Sequence, residues 1–108
     1  IEGIVWVDTP VLDEANKAGG ALILKHEERY GAKPNFQFWL AASYDRMMVT
    51  AQAMRTCSDN TTCLRDAFYT MGPYSGITGT FTFDDHGDVV GLGHAVFTIQ
   101  DGNTVRIG

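Results

Sequence analysis

The sequence is short of the features that mark catalytic, metal-binding or nucleic-acid-binding proteins. Eight Lys and Arg stand against thirteen Asp and Glu, a net charge of −5, and no two basic residues are adjacent. A phosphate backbone is held by clustered cations, so nucleic acid is not an expected partner. No apolar run is long enough to cross a bilayer; the stretch 36–42 contains Gln37 and runs into Asp45 and Arg46. No G-x-S-x-G elbow, H-E-x-x-H helix, Walker loop or G-x-G-x-x-G turn occurs. Neither catalysis nor a cofactor is therefore expected. His26, His86 and His94 match no metal-ligand spacing and are expected on the surface or in turns. The two cysteines, Cys57 and Cys63, are separated by five residues, a spacing of no common zinc site, and no second pair completes a tetrahedron. No metal is expected. A short disulfide, contributing about 2–3 kcal/mol if unstrained, and two free thiols both remain open. A bridge would imply an oxidising compartment.

What is present suits one small folded domain. The chain has 108 residues, 44% hydrophobic and 19% charged, values that exclude disorder as the default. It begins at Ile1 with no basic n-region or signal-like apolar stretch. A strand-like run starting almost at the first residue is the expectation for a segment of something longer.

Residues 3–7, Gly-Ile-Val-Trp-Val, ended by Asp8-Thr9-Pro10, read as a strand buried on both faces, the pattern of a parallel strand in an α/β sheet. Ala15, Ala18, Leu22, His26 and Tyr30 follow at helical spacing. Gly19-Gly20 weakens that helix by on the order of 1 kcal/mol per glycine, so it is expected from about Ala21. Gly31 and Pro34 end it. A long helix is predicted from about Phe36 to Arg55, with Leu40, Tyr44, Met47, Met48, Ala51 and Met54 as its apolar stripe and Asp45, Arg46 and Gln52 off it. Asn60 or Thr61 can cap a shorter helix whose Leu64, Ala67, Phe68 and Met71 share a face. The pattern then turns to strand. Thr80-Phe81-Thr82-Phe83 alternates, 85–88 is a turn, 95–99 is extended, and Asp101-Gly102-Asn103 turns into Val105 and Ile107.

Several chemical-looking clusters have plain readings. Asp84-Asp85-His86-Gly87-Asp88 lacks the alternating oxygen ligands of a calcium loop and reads as a solvated hairpin turn. Gly91-Leu92-Gly93, inside strand-like sequence, marks a bulge rather than a phosphate cradle. Asn60-Thr61-Thr62 forms a glycosylation triplet, but serves here as a helix cap. Phe36, Phe38 and Trp39 crowd the start of the long helix. Successive helical residues point about 100° apart, so either one of them faces a cleft or another body, or all find core partners at the helix N-terminus.

In order along the chain, several short motifs stand out. These are Glu2-Gly3-Ile4-Val5, Glu28-Arg29-Tyr30-Gly31-Ala32-Lys33-Pro34, Ala42-Ser43-Tyr44-Asp45 and Cys63-Leu64-Arg65-Asp66-Ala67. Gly76-Ile77-Thr78-Gly79-Thr80-Phe81-Thr82-Phe83-Asp84 follows, then Gly87-Asp88 and Asp101-Gly102. Together they resemble the type I periplasmic solute-binding proteins, in their branched-chain amino acid-binding branch. The string from Gly76 to Asp84 is the most specific part.

The resemblance implies an α/β fold, the C-terminal part of a two-lobe architecture: a strand, two to three helices, then short strands. Residues 1–72 would supply a lobe strand and helices, and 73–108 a hinge crossing and closing strands. It implies a non-enzymatic, extracytoplasmic receptor that holds an amino acid or similar small polar or aromatic molecule for an ABC importer. The small molecule and the permease membrane subunits are then the partners; separately, an unpaired sheet edge is expected on the isolated segment and favours a homodimer or strand exchange. The family's cleft aromatic, five places before the Tyr of the long helix, falls on Trp39; Phe38 and Phe36 are the neighbouring candidates. Residence outside the cytoplasm favours a Cys57–Cys63 disulfide. Gly19-Gly20 departs from the family pattern and puts the start of that helix in doubt. Two other readings stand beside the receptor, a sensor domain of the same fold and a ligand-free interaction domain.

Overall fold

The computed structural model describes residues 1–10, 12 and 16–108; Ala15, placed on the first helix by its spacing, lies outside them. Along the chain come β1 (Val5–Asp8), α1 (Lys17–Tyr30), α2 (Gln37–Cys57) and α3 (Thr61–Thr70). Five short strands follow: β2 (Tyr74–Ser75), β3 (Thr80–Phe83), β4 (Val89–Val90), β5 (Ala95–Gln100) and β6 (Asn103–Arg106). The fold is α/β, with the strands in two three-stranded sheets ordered β1-β5-β6 and β2-β3-β4.

β1 ends where Asp8-Thr9-Pro10 should end it, but its setting differs from the expectation of a strand buried on both faces. It pairs antiparallel with β5, Trp6 opposite Phe97 and Val7 opposite Val96, and lies at a sheet edge with Val7 64% exposed. An apolar run reports how much burial a strand is suited to, not its direction or what covers it. The Trp6 and Phe97 rings stack across the pair at 5.7 Å. β5 and β6 form a hairpin closed by Asp101 and Gly102, both at positive φ (51° and 73°), the mirror-image turn that matches the twist of antiparallel strands. The Glu2 carboxylate reaches over to this turn and accepts from the amide nitrogens of Asp101 at 2.7 Å and Gly102 at 3.4 Å.

The first helix begins earlier than its glycines suggested. Asn16 caps it, its Oδ1 accepting from the Gly19 N–H at 2.8 Å. Gly19 therefore sits in the capped first turn, where the cap offsets part of the cost of a glycine. Gly31 closes the helix in the left-handed region at φ 75°, its N–H donating to Glu27 O at 2.8 Å. α3 is capped by Asn60, whose Oδ1 accepts from Cys63 N at 2.9 Å, and its half-buried residues are the predicted Leu64, Ala67 and Phe68 together with Cys63.

The long helix faces the opposite way from its expected stripe. Its buried residues are Ala41, Asp45, Val49 and Cys57, spaced by fours and eights along one side. Met47 is 70% exposed, and Tyr44, Met48 and Met54 are also exposed. Small side chains at Ala41 and Val49 let neighbouring segments approach, and the larger apolar residues are left outside.

The packing is open. The radius of gyration is 16.8 Å and the principal extents are 53 × 35 × 21 Å, against about 13 Å for a compact domain of this length. The accessible surface is 7766 Å², where a compact monomer of this mass exposes about 5,900 Å². β1 packs with β5 and β5 with β6; α2 packs on α3 and, more lightly, on α1.

Candidate functional site

Asp45 is the most deeply buried charged residue among those described, at 2% exposure. Its burial needs compensation, because an unpartnered carboxylate inside a protein is costly. The compensation comes from the segment between β2 and β3. Oδ1 accepts from the Ile77 N–H at 2.8 Å, and Oδ2 accepts from the Thr78 N–H at 2.8 Å and from Thr78 Oγ1 at 2.6 Å. Gly76 is required beside it, since a Cβ there would fall on the Asp45 carboxylate. On the other side of the segment, Asn16 Nδ2 donates to Ile77 O at 2.6 Å. Among the described residues, no buried side-chain polar atom lacks a hydrogen-bond partner.

The candidate ligand-contacting aromatics lie at the opening of α2. Phe36 is the N-cap residue, makes no side-chain capping bond and is 73% exposed. Phe38 is half-buried, and Trp39 is 55% exposed with its ring set edge-on to Phe38 at a centroid distance of 5.7 Å. The structure thus brings Phe38 and Trp39 together and leaves Phe36 and Trp39 accessible rather than placing all three in a core. Exposed indole and phenyl faces can stack on a planar or apolar group.

Two open grooves flank the long helix. One, of about 720 Å³, is lined by Val49, Cys57, Cys63, Met71 and Tyr74 among others. The second, of about 660 Å³, runs along Val49, Leu64, Phe68, Phe81, Phe83 and Leu92. Neither is lined by Phe36, Phe38 or Trp39.

Cys57 and Cys63 form a disulfide with Cα atoms 5.4 Å apart, tying the last residue of α2 to the first turn of α3. The 84–88 cluster is a hairpin turn, in which Asp84 Oδ1 accepts from the backbone of His86 and of Asp88, both at 2.9 Å. His26 lies half-buried on α1 with Nδ1 2.9 Å from Ala32 O. His86 is in the 84–88 turn and His94 is exposed before β5. Among the described residues no three His, Cys, Asp or Glu gather as metal ligands, and no helix is long and apolar enough to cross a membrane.

Spacing alone set Asp45 aside as a residue off the apolar stripe. The available signal was the pair of glycines around Ile77-Thr78, whose backbone N–H groups are free to converge on a buried anion.

No protein-family model matches the chain, and no curated protein matches it in sequence. Solved structures do resemble it. An ABC transporter substrate-binding protein from Desulfitobacterium hafniense, in complex with Leu, superposes with a TM-score of 0.68 at 22% identity, covering 98% of this chain and 31% of that one. The leucine-binding protein LivK from Thermotoga maritima gives 0.67 at 21%, covering 100% and 31%. A solute-binding protein of an ABC transporter from R. palustris, in complex with benzoate, gives 0.68 at 16%, covering 99% and 29%. The chain spans about a third of the length of these proteins. Its fold is that of part of the periplasmic-binding-protein architecture.

Proposed function

We propose that the chain is the C-terminal part of an extracytoplasmic solute-binding protein that delivers an amino acid, or a similar small polar or aromatic molecule, to an ABC importer. The observation that supports this most strongly is the superposition of 98–100% of the chain on about a third of such proteins, one in complex with Leu, one a leucine-binding protein and one in complex with benzoate. The open packing agrees with it, because sheet faces and an apolar helix stripe are left for a larger body to cover.

In this reading residues 1–108 form one segment, with lobe strand and helices in 1–72 and the hinge crossing and closing strands in 73–108. The step from β4 in one sheet to β5 in the other, at 91–94, is the crossing. Ligand held between two lobes stabilises their closed arrangement over the open one. Trp39, with Phe38 and Phe36 beside it, offers an aromatic wall to the apolar end of the solute, while the polar end is held by residues of the rest of the receptor. The permease membrane subunits are the partners on the delivery side, and the compartment is periplasmic or otherwise extracytoplasmic, which suits the disulfide.

Isothermal titration of the complete gene product with leucine and with benzoate tests the proposal. Saturable binding of one of them is expected, weakened about tenfold by Trp39→Ala, as for loss of a stacking aromatic. Absence of binding to these two and to a wider panel of amino acids and aromatic carboxylates would overturn it.

A further inference from the structure

The buried side of α2 is not filled along its whole length. It faces α3 and the β3-β4 hairpin, and between them runs the groove of about 660 Å³, a volume within the range of small-molecule sites, about 300–1,000 Å³. Its walls come from this segment: Ala42 and Val49 of α2, Leu64 and Phe68 of α3, Phe83 and Val89 of the hairpin. The exposed stripe of Tyr44, Met47, Met48 and Met54 lies on the other side of α2, so a body that covers the stripe need not fill the groove.

The groove has an aromatic floor. The Phe68 and Phe83 rings lie 5.8 Å apart, and Phe81 meets Phe83 edge-on at 6.1 Å. Phe81 is buried, Leu64, Phe68, Phe83 and Leu92 are half-buried, and Val89 is 48% exposed. Apolar surface of this kind gains by being covered with an apolar chain.

Two cations also line the groove, Arg46 on α2 and Arg65 on α3. Arg65 is engaged, its Nε and Nη2 donating to Asp66 Oδ1 at 2.8 and 2.6 Å. Asp45, the carboxylate next to Arg46 in sequence, is committed to Ile77 and Thr78. Among the described residues Arg46 has no ion pair, and its side chain is exposed. A guanidinium stays charged and offers a planar fork of donors that matches a carboxylate. An apolar trough edged by one uncommitted cation complements an amphipathic anion.

We propose that the groove between α2, α3 and the β3-β4 hairpin is a second ligand site, for a monocarboxylate with a long apolar tail. Arg46 takes the carboxylate, and the tail lies over Phe68 and Phe83. None of Phe36, Phe38 and Trp39 lines this groove, so it is separate from the proposed solute site and either can fail without the other.

Titration calorimetry of the complete gene product with dodecanoate, below its micelle-forming concentration, tests this. Saturable binding is expected. Arg46→Gln should weaken it about tenfold, the scale of a lost charge-assisted hydrogen bond. Val89→Asp should also weaken it, by placing an acid in the apolar wall. Arg65→Gln and Trp39→Ala should leave it unchanged, and dodecanol, the same tail without the charge, should bind more weakly. Circular dichroism checks that each variant is folded; if Val89→Asp is not, the exposed Arg46→Gln decides. No saturable binding, equal binding of dodecanol, or a loss in Trp39→Ala with none in Arg46→Gln would overturn the proposal. So would a product that is dimeric by light scattering until Val89→Asp separates it, since a second copy would then occupy the groove.

Discussion

Asp45 and Thr78, 33 residues apart in sequence, meet through two hydrogen bonds to one carboxylate oxygen, from the Thr78 amide at 2.8 Å and its hydroxyl at 2.6 Å. The contact joins the middle of α2 to the turn before β3 and makes the buried face of the long helix partly ionic. Hydrogen bonds to a charged group are among the stronger ones in proteins, and removing one side of a buried set costs the desolvation of the other.

Asp45→Asn should therefore destabilise the chain by about 2–4 kcal/mol, since an amide nitrogen would face backbone donors it cannot satisfy. Gly76→Ala should destabilise it as well, because the added Cβ meets the Asp45 carboxylate and overpacking of this kind costs about 1–3 kcal/mol. Denaturant titration of each variant checks both. Because the two residues touch, the double variant should lose less than the sum of the single losses.

Much of the chain was legible from its residues. The stop after β1 at Asp8-Thr9-Pro10, the Gly31 cap of α1, the Asn60 cap of α3 and the hairpin turns at 84–88 and 101–102 all depend on neighbours within a few positions. The core face of α2 was not legible. Tyr44, Met47, Met48 and Met54 make an apolar stripe by spacing, yet the helix buries Ala41, Asp45 and Val49. The partner that makes Asp45 a core residue is the backbone of residues 77 and 78, and periodicity along a helix carries no information about it. Likewise, β1 reads as buried from its own composition, while its exposure is set by what lies beside it. The Trp39 assignment came from family likeness, and spacing alone left Trp39 between core and cleft.

The Cys57–Cys63 disulfide closes a short loop between the end of α2 and the first turn of α3. Loop-closure entropy for so short a span is about 2 kcal/mol. Replacing both cysteines by serine should lower stability by about that amount, measured by denaturant unfolding. Adding a reductant should destabilise the unsubstituted chain and leave the double variant unchanged.

Among the described residues no strand pairs with the outer edge of β1, and Ile4, Val5 and Val7 are exposed along it. Unpaired backbone groups beside apolar side chains template pairing with another strand. The 108-residue chain alone should self-associate as its concentration rises, by light scattering, and Val5→Lys on that edge should reduce it. A monomer at high concentration would count against the homodimer.

The proposed holding of a solute between this segment and the remainder of a receptor is tested most directly by the melting temperature of the complete gene product against graded amounts of amino acids and aromatic carboxylates. One of these should raise it with rising concentration, reaching about 2.7 kcal/mol of added stability at a hundredfold excess over the dissociation constant, with a smaller rise in Trp39→Ala. A folded protein whose melting temperature stays constant across the whole panel would contradict the proposed solute binding.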